Sequence, residues 1–501
     1  MDTIFNLKNF LPIICFFMGI QFSSCNEIKD NNTDDGTDSN KPEAEDVVLY
    51  ITTNTRSFDF RKLTTTFSDK DNMSPSTIKL EPTTRYQTMD GFGAAVTGSS
   101  CFNLLKMQPA DRTRFLKATF SPTEGMGYSY VRISIGCSDF SLSEYTCWDD
   151  TTAGFALTSE ENDYVIPVLK EILAIHPKLK ILGSPWTCPR WMKVNNLEEL
   201  KSYESWTSGR LNPAYYQDYA TYFVKWIQAF ARAGIVVDAV TPQNEPLNRG
   251  NSASLFMGWQ EQRDFVKNAL TPQFKAAGLK TKIYLFDHNY NYDNMGDQNA
   301  YPVKIYDAGV EDEWVVGAAY HNYGGSRNEL LDIHNLYPNK ELIFTESSIG
   351  TWNDGHNLSV RLMEDMQEVA LGTVNNWCKA VIVWNLMLDS ERGPNRAGGC
   401  QTCYGAVDID RSDYKTITKN SHYYIIGHLS AVVKPGAIRI GTSGYKAAGV
   451  SCSAFENTDG TYSAVLLNNT DESKKITLDD GKRHFSYDVP SKSVISYQWK
   501  K

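Results

Sequence analysis

The chain has 501 residues, 41% hydrophobic and 12% aromatic, enough to bury a large core and too apolar for a disordered or fibrous protein. Its net charge of −10 is concentrated in residues 26–46, where eight Asp and Glu meet two Lys. What remains is too weakly charged to imply nucleic acid or an anionic membrane surface as a partner.

From the N-terminus, Lys8 precedes the apolar run "FLPIICFFMGI" (10–20), which is shorter than a membrane span and is followed by small residues, the pattern of an export signal. "FSSC" (22–25) resembles a bacterial lipobox and makes Cys25 the expected lipidated N-terminus of an exported, outer-membrane or cell-surface lipoprotein. The chain then meets a membrane only through that anchor. The acidic stretch after it has no aromatic residue and too little apolar surface to fold, so a tether is expected over 25–46. Eight further cysteines stand in a chain for which disulfides are permitted. "CQTC" (400–403) has no second pair and no histidine at zinc spacing, which leaves a loop disulfide or two free thiols and no metal site.

Residues 47–85 carry short alternating strands, among them "VVLYITT" and "STIKLEPTT". From residue 89 the pattern changes to apolar strands at 91–98, 129–136, 180–186, 239–246, 282–289, 317–323, 341–348 and 380–388. Amphipathic helical stretches such as 162–176, 212–234 and 358–377 fall between them. Eight such units predict a (β/α)8 TIM barrel; an open doubly wound sheet would show fewer strands. The end of the chain returns to alternating strands, "YSAVLLNNT", "KKITL" and "KSVISYQW". The expected organisation is a signal peptide (1–24), a tether (25–46), N-terminal strands (47–88), an α/β barrel (89–436) and C-terminal strands (437–501). The two strand-rich ends then form one β-sandwich side domain.

In a barrel the site is built at the C-terminal ends of the strands. Here those ends are polar or aromatic: Asp139, Trp186, Asn244 with Glu245, Asp287 with His288, His321 with Tyr323, Glu346, and Trp384 with Asn385. Two carboxylates among aromatic and amide groups suit glycoside hydrolysis, in which one acid protonates the departing oxygen and the other attacks or activates water. Aromatic rings stack on the CH faces of sugars. Motifs of competing chemistries, G-x-S-x-G, H-E-x-x-H, a P-loop and a helix-opening G-x-G-x-x-G, are absent from the sequence, and no cofactor is expected.

The motifs "QTMDGFGAAVTGSS", "LGSPWTCPRWMK", "AVTPQNEP", "QRDFVKNALTP", "LIFTESS", "WNLMLDSERGPN" and "HYYIIGHLSAVVKPGAIRIG" occur in order from about residue 85 onward. They resemble glycoside hydrolase family 30, which includes glucosylceramidases and β-1,6-glucanases. The resemblance implies that Glu245 is the general acid/base and Glu346 the nucleophile of a retaining mechanism, with Asn244 on the 2-hydroxyl. Asp139 and Trp186 would grip outer hydroxyls, and His321 and Tyr323 would flank the nucleophile. Arg132 would add positive charge, and Trp384 would form the sugar platform. Those roles require Glu245 to have a pKa raised towards neutrality and Glu346 to be ionised. Asn322, where the glucosylceramidase pattern has an aromatic, and the unmatched loop 392–410 depart from the family at the pocket rim. The expected activity is an endo-β-1,6-glucanase acting on extracellular β-glucan; the alternatives are a glucosylceramidase or other β-glucosidase, and a non-catalytic carbohydrate-binding lipoprotein.

Overall fold

The computed structural model describes residues 46–68, 73–290 and 295–501. Cys25, the signal and nearly all of the acidic tether lie outside the described residues. Eight parallel strands close into a barrel in chain order: Gly91–Ala95, Tyr130–Ser134, Lys180–Ser184, Ala239–Val240, Lys282–Asn289, Val315–His321, Glu341–Glu346 and Cys378–Asn385. These are barrel strands 1 to 8 below. Each overlaps an apolar run expected to be a strand.

The helices between them bury one face against this ring. In Tyr216–Arg232, Tyr219, Tyr222, Phe223, Trp226 and Phe230 recur at helical spacing and are all buried. No helix among the described residues is long and apolar enough to cross a membrane.

Both chain ends contribute to a single nine-stranded sheet. Val47–Thr53 pairs antiparallel with Ser493–Lys500, and Thr77–Thr88 pairs with Ile438–Gly444. This β-sandwich has its own core, with Val47, Leu49, Ile51, Ile78, Leu466, Phe485 and Trp499 at its centre.

Inside the barrel, the alternation of side chains along each strand builds two layers. The lower layer is apolar: Tyr130, Leu182, Ala239, Tyr284, Ala319, Ile343, Ala380 and Ile382. Two residues further along stand Arg132, Ser184, His321, Thr345 and Trp384 on the same strands and Thr241 just past the end of strand 4, all buried. Strand 5 reaches this upper layer through a bulge: its pairing with strand 6 slips between Phe286 and His288, both Phe286 and Asp287 have φ of 69°, and Asp287 turns inward.

Candidate active site

Glu245 does not end a strand. Strand 4 stops at Val240, and the chain continues through Pro242 and Pro246, which lack the N–H groups a ladder requires. Glu245 stands in the turn that follows, with φ of 46°, a left-handed conformation that a non-glycine residue holds only when its surroundings fix it. The Asn244 N–H donates to the Pro185 carbonyl (2.7 Å) and the Glu245 N–H to the Asp287 carbonyl (2.9 Å), which ties the turn to strands 3 and 5.

Arg132 lies at the centre of the upper layer and is fully buried. It donates to Glu346 Oε2 (2.5 Å), to Asn244 Oδ1 and Asp287 Oδ2 (2.7 Å each), and to Ser184 Oγ (3.2 Å). Arginine has no acceptor, so the Asn244 oxygen must face it, and the Asn244 amide NH2 is left without a partner among the described residues. Glu346 follows the inward-facing Thr345 because the pairing of strands 6 and 7 shifts there and aligns His321 with Glu346. The Tyr323 hydroxyl donates to Glu346 Oε1 (3.0 Å). One carboxylate oxygen of Glu245, one of Glu346 and a ring nitrogen of His321 lie within 4.8 Å of one another.

His321 stands beside Glu346, with a ring nitrogen within 4.8 Å of one of its oxygens, and bridges Glu245 Oε1 (3.3 Å) and Asp287 Oδ1 (3.0 Å). With a carboxylate at each nitrogen, both nitrogens donate and the ring is an imidazolium. Trp186 is buried and stacks on Trp384 at 5.2 Å, with the Arg132 guanidinium over both rings. Trp384 itself lines a cleft of about 340 Å³ together with Asp139, Glu245, Tyr323 and Glu346. Asp139 Oδ1 is buried without a hydrogen-bond partner among the described residues.

Residues 89–433 match the Glycosyl hydrolase family 30 TIM-barrel domain, and residues 436–497 match the Glycosyl hydrolase family 30 beta sandwich domain. The chain belongs to glycoside hydrolase family 30. It is 32% identical to an endo-1,6-beta-D-glucanase of Trichoderma harzianum over 82% of this chain and 84% of that one. It is 27% identical to the lysosomal acid glucosylceramidase of Mus musculus over 85% and 83% respectively. A solved structure described as an endo-beta1,6-glucanase is 67% identical, with a TM-score of 0.89, covering 91% of this chain and 99% of the other.

The electrostatics of this family 30 glycoside hydrolase reverse the simple expectation for its two glutamates. Burial would raise the Glu245 carboxyl, but the bond from His321, the charges of His288 and His321 and the bond from Asn248 bring it down to about 2. His288 itself titrates at about 4, mainly because it is buried, so at neutral pH the lowering comes from His321 and the amide. Glu346 is raised, first by burial and further by the Glu245 charge, against the pull of His321 and Arg132. The reason is the position of one proton. Burial disfavours charge on His321, but Glu346, Asp287 and Glu245 overcome it and raise the ring to about 9, so the proton assigned from sequence to Glu245 resides on its histidine partner. Asp287 is held below the usual carboxylate range despite burial, by Arg132, His321 and Thr345. Asp139 is pushed up to about 8, mostly by burial and then by the charges of Glu346 and Glu245.

Glu245, His321 and Glu346 form a cluster compact enough for a metal ion, but the donor chemistry does not fit one. Both nitrogens of His321 carry protons engaged by carboxylates, and the Arg132 charge already sits on Glu346.

Several residues of the site were given no role from sequence. Asp287 anchors the layer by accepting from Arg132, Thr241, His321 and Thr345; its place at the end of an apolar strand was the available signal. Asn248 and Asn251 donate to Glu245 Oε2 at 2.7 and 3.1 Å; two amides within six residues of Glu245 were the hint. The loop 392–410 forms a wall. Its Cys400–Cys403 disulfide lines the cleft, and Arg396 donates to the carbonyls of Ser138 and Ser252, joining the loops after strands 2, 4 and 8.

Proposed function

We propose that this glycoside hydrolase is an endo-acting β-1,6-glucanase that cleaves extracellular glucan with retention of configuration. The 67% identity to a structure described as an endo-beta1,6-glucanase carries the substrate assignment, and the fungal relative points the same way. The close approach of the two carboxylates supports retention: retaining pairs stand about 5–5.5 Å apart, whereas inverting pairs need roughly 6.5–9.5 Å to admit a water.

In the first step a Glu346 oxygen attacks the anomeric carbon. The bond from that carbon to the glycosidic oxygen breaks, and the departing oxygen takes, through Glu245, the proton held by His321, which leaves Glu245 ionised and His321 neutral. In the second step water attacks the same carbon, its proton passes to Glu245, and Glu346 is released. Glu245 is ionised at neutral pH, the form that this second, base step requires. Arg132 and Tyr323 bond both oxygens of Glu346 and so favour its ionised form against the burial that raises it. Asn244 offers its free amide to the 2-hydroxyl, Asp139 reads an outer hydroxyl, and Trp384 is the platform, backed by Trp186.

The 27% identity to a glucosylceramidase favours a second reading, hydrolysis of a glucosyl lipid. Product analysis on β-1,6-glucan, β-1,3-glucan, xylan and glucosylceramide in parallel separates the two. Gluco-oligosaccharides from β-1,6-glucan are expected, and faster ceramide release would reverse the order. The protein is further proposed to be exported and anchored by lipid on Cys25. Cys25→Ala should then move it from the membrane to the soluble fraction with activity intact, and a variant that stayed in the membrane would end that assignment.

A further inference from the structure

A second cavity, of about 540 Å³, opens beside the catalytic cleft. Tyr323, Ser348 and Trp352 belong to both walls, so the two form one depression that bends over Tyr323. Its outer walls come from the loops after strands 6 and 7 and from the helix Leu358–Asp365 with the turn beyond it. They present Arg327, Asn328, Asn353, Arg361 and Glu368.

Three features define what fits there. Trp352 is 52% exposed at the junction, and its ring is held in place: it lies over Gly350, where an added Cβ would come within 2.0 Å of it. The walls are rich in amide, guanidinium and carboxylate groups, and the buried Arg361 has an Nε without a partner among the described residues while its Nη2 is committed to Asp365. An acyl chain would desolvate these groups and return no hydrogen bond, whereas a sugar returns hydroxyls and offers a CH face to the indole. The bend is also compatible with the chain, because a 1,6 linkage contains an additional rotatable carbon–carbon bond.

We propose that this cavity is a subsite for a glucosyl unit on the leaving-group side of the scissile bond, with Trp352 as its platform and Asn328, Arg327 and Arg361 reading hydroxyls. The proposal rests on the glucanase assignment above. The side follows from barrel order: strands 6 and 7 lie across the ring from strand 2, whose loop places Asp139 at the opposite end of the cleft.

The test measures kcat/KM on β-1,6-linked gluco-oligosaccharides of two to six units for the wild type, Trp352→Ala and Asn328→Ala. Both side chains are exposed, so the variants should fold, and their Tm values verify it. Wild-type kcat/KM should rise with length. In the variants the ratio of long to short substrate should fall about 5- to 10-fold, through KM. An unchanged ratio in both variants would overturn the subsite while leaving the glucanase intact. A wild type that cleaves no 1,6-linked oligomer of any length would instead overturn the substrate assignment, and the subsite with it.

Discussion

The lower and upper layers of the barrel share strands and burial but not chemistry. Tyr130 and Arg132 are two residues apart on strand 2, as are Leu182 and Ser184 on strand 3 and Ile343 and Thr345 on strand 7. The lower layer stabilises by removing apolar surface from water, and any well-packed apolar set would serve. The upper layer spends burial on charges that bond one another: Arg132 to Asp287 and Glu346, and His321 to Asp287 and Glu245. Apolar residues of the same volume would cost the fold little or even stabilise it. What they could not supply is a set of fixed charges that converge on Glu245 and Glu346, and that is what the upper layer provides.

The largest break in the comparison comes from the reactive pair. Glu346→Ala should lower kcat on natural and activated substrates by about 10⁴-fold or more, with azide giving the α-glycosyl azide. Glu245→Ala should lose about 10²- to 10⁴-fold on natural substrates, retain turnover of an activated aryl glucoside, and give the β-azide. Exchanged anomers would exchange the two roles.

Next in size is the layers' response to truncation. Arg132→Met takes away one of the two cations on the buried Asp287, leaving only the His321 imidazolium, and should cost about 3–5 kcal/mol of stability as well as activity. Ile343→Ala in the lower layer should cost about 2–5 kcal/mol by cavity formation while kcat per folded molecule stays near wild type. Denaturant unfolding alongside kinetics separates these; equal activity losses in the two variants would erase the distinction.

The smallest effect is the pH response. His321 is raised in the fold to about 9 from its ordinary 6.5, so the stability it contributes is complete below about 6.5 and is lost as pH rises through about 9. The same deprotonation removes the proton shared with Glu245, so kcat/KM should fall across that range. Asp139, at about 8, titrates nearby. Asp139→Asn should leave the alkaline limb in place, whereas a limb that vanished with it would assign the titration to Asp139.

The sequence revealed the eight strands because each is an apolar run, and it pointed to the two glutamates because each stands at the end of such a run. It did not reveal how they are held. The run 239–246 reads as one strand, yet only Ala239 and Val240 pair, because prolines interrupt the ladder. The bulge at Phe286 and Asp287 uses left-handed backbone without a glycine, so no residue type announces it. The contact of His321 with Glu245 spans 76 residues and depends on the closed ring; without it the proton is naturally assigned to the glutamate. Asn248 and Asn251 act from a loop with no periodicity, and "CQTC" left disulfide and thiols equally open.

The pairing of Val47–Thr53 with Ser493–Lys500 also bears on how the molecule is made. The first strand of the sandwich has to wait until some 440 further residues have left the ribosome, roughly 20–90 s at ordinary rates of synthesis, before its seven-residue ladder can form. Until then Val47–Thr53 has only the short strand Arg61–Thr65 on its other edge, and Val47, Leu49 and Ile51 remain available for wrong partners. Nascent chains halted before residue 493 should therefore be captured by holdase chaperones through this strand, and released once the final strand inserts between Val47–Thr53 and Thr461–Asn468.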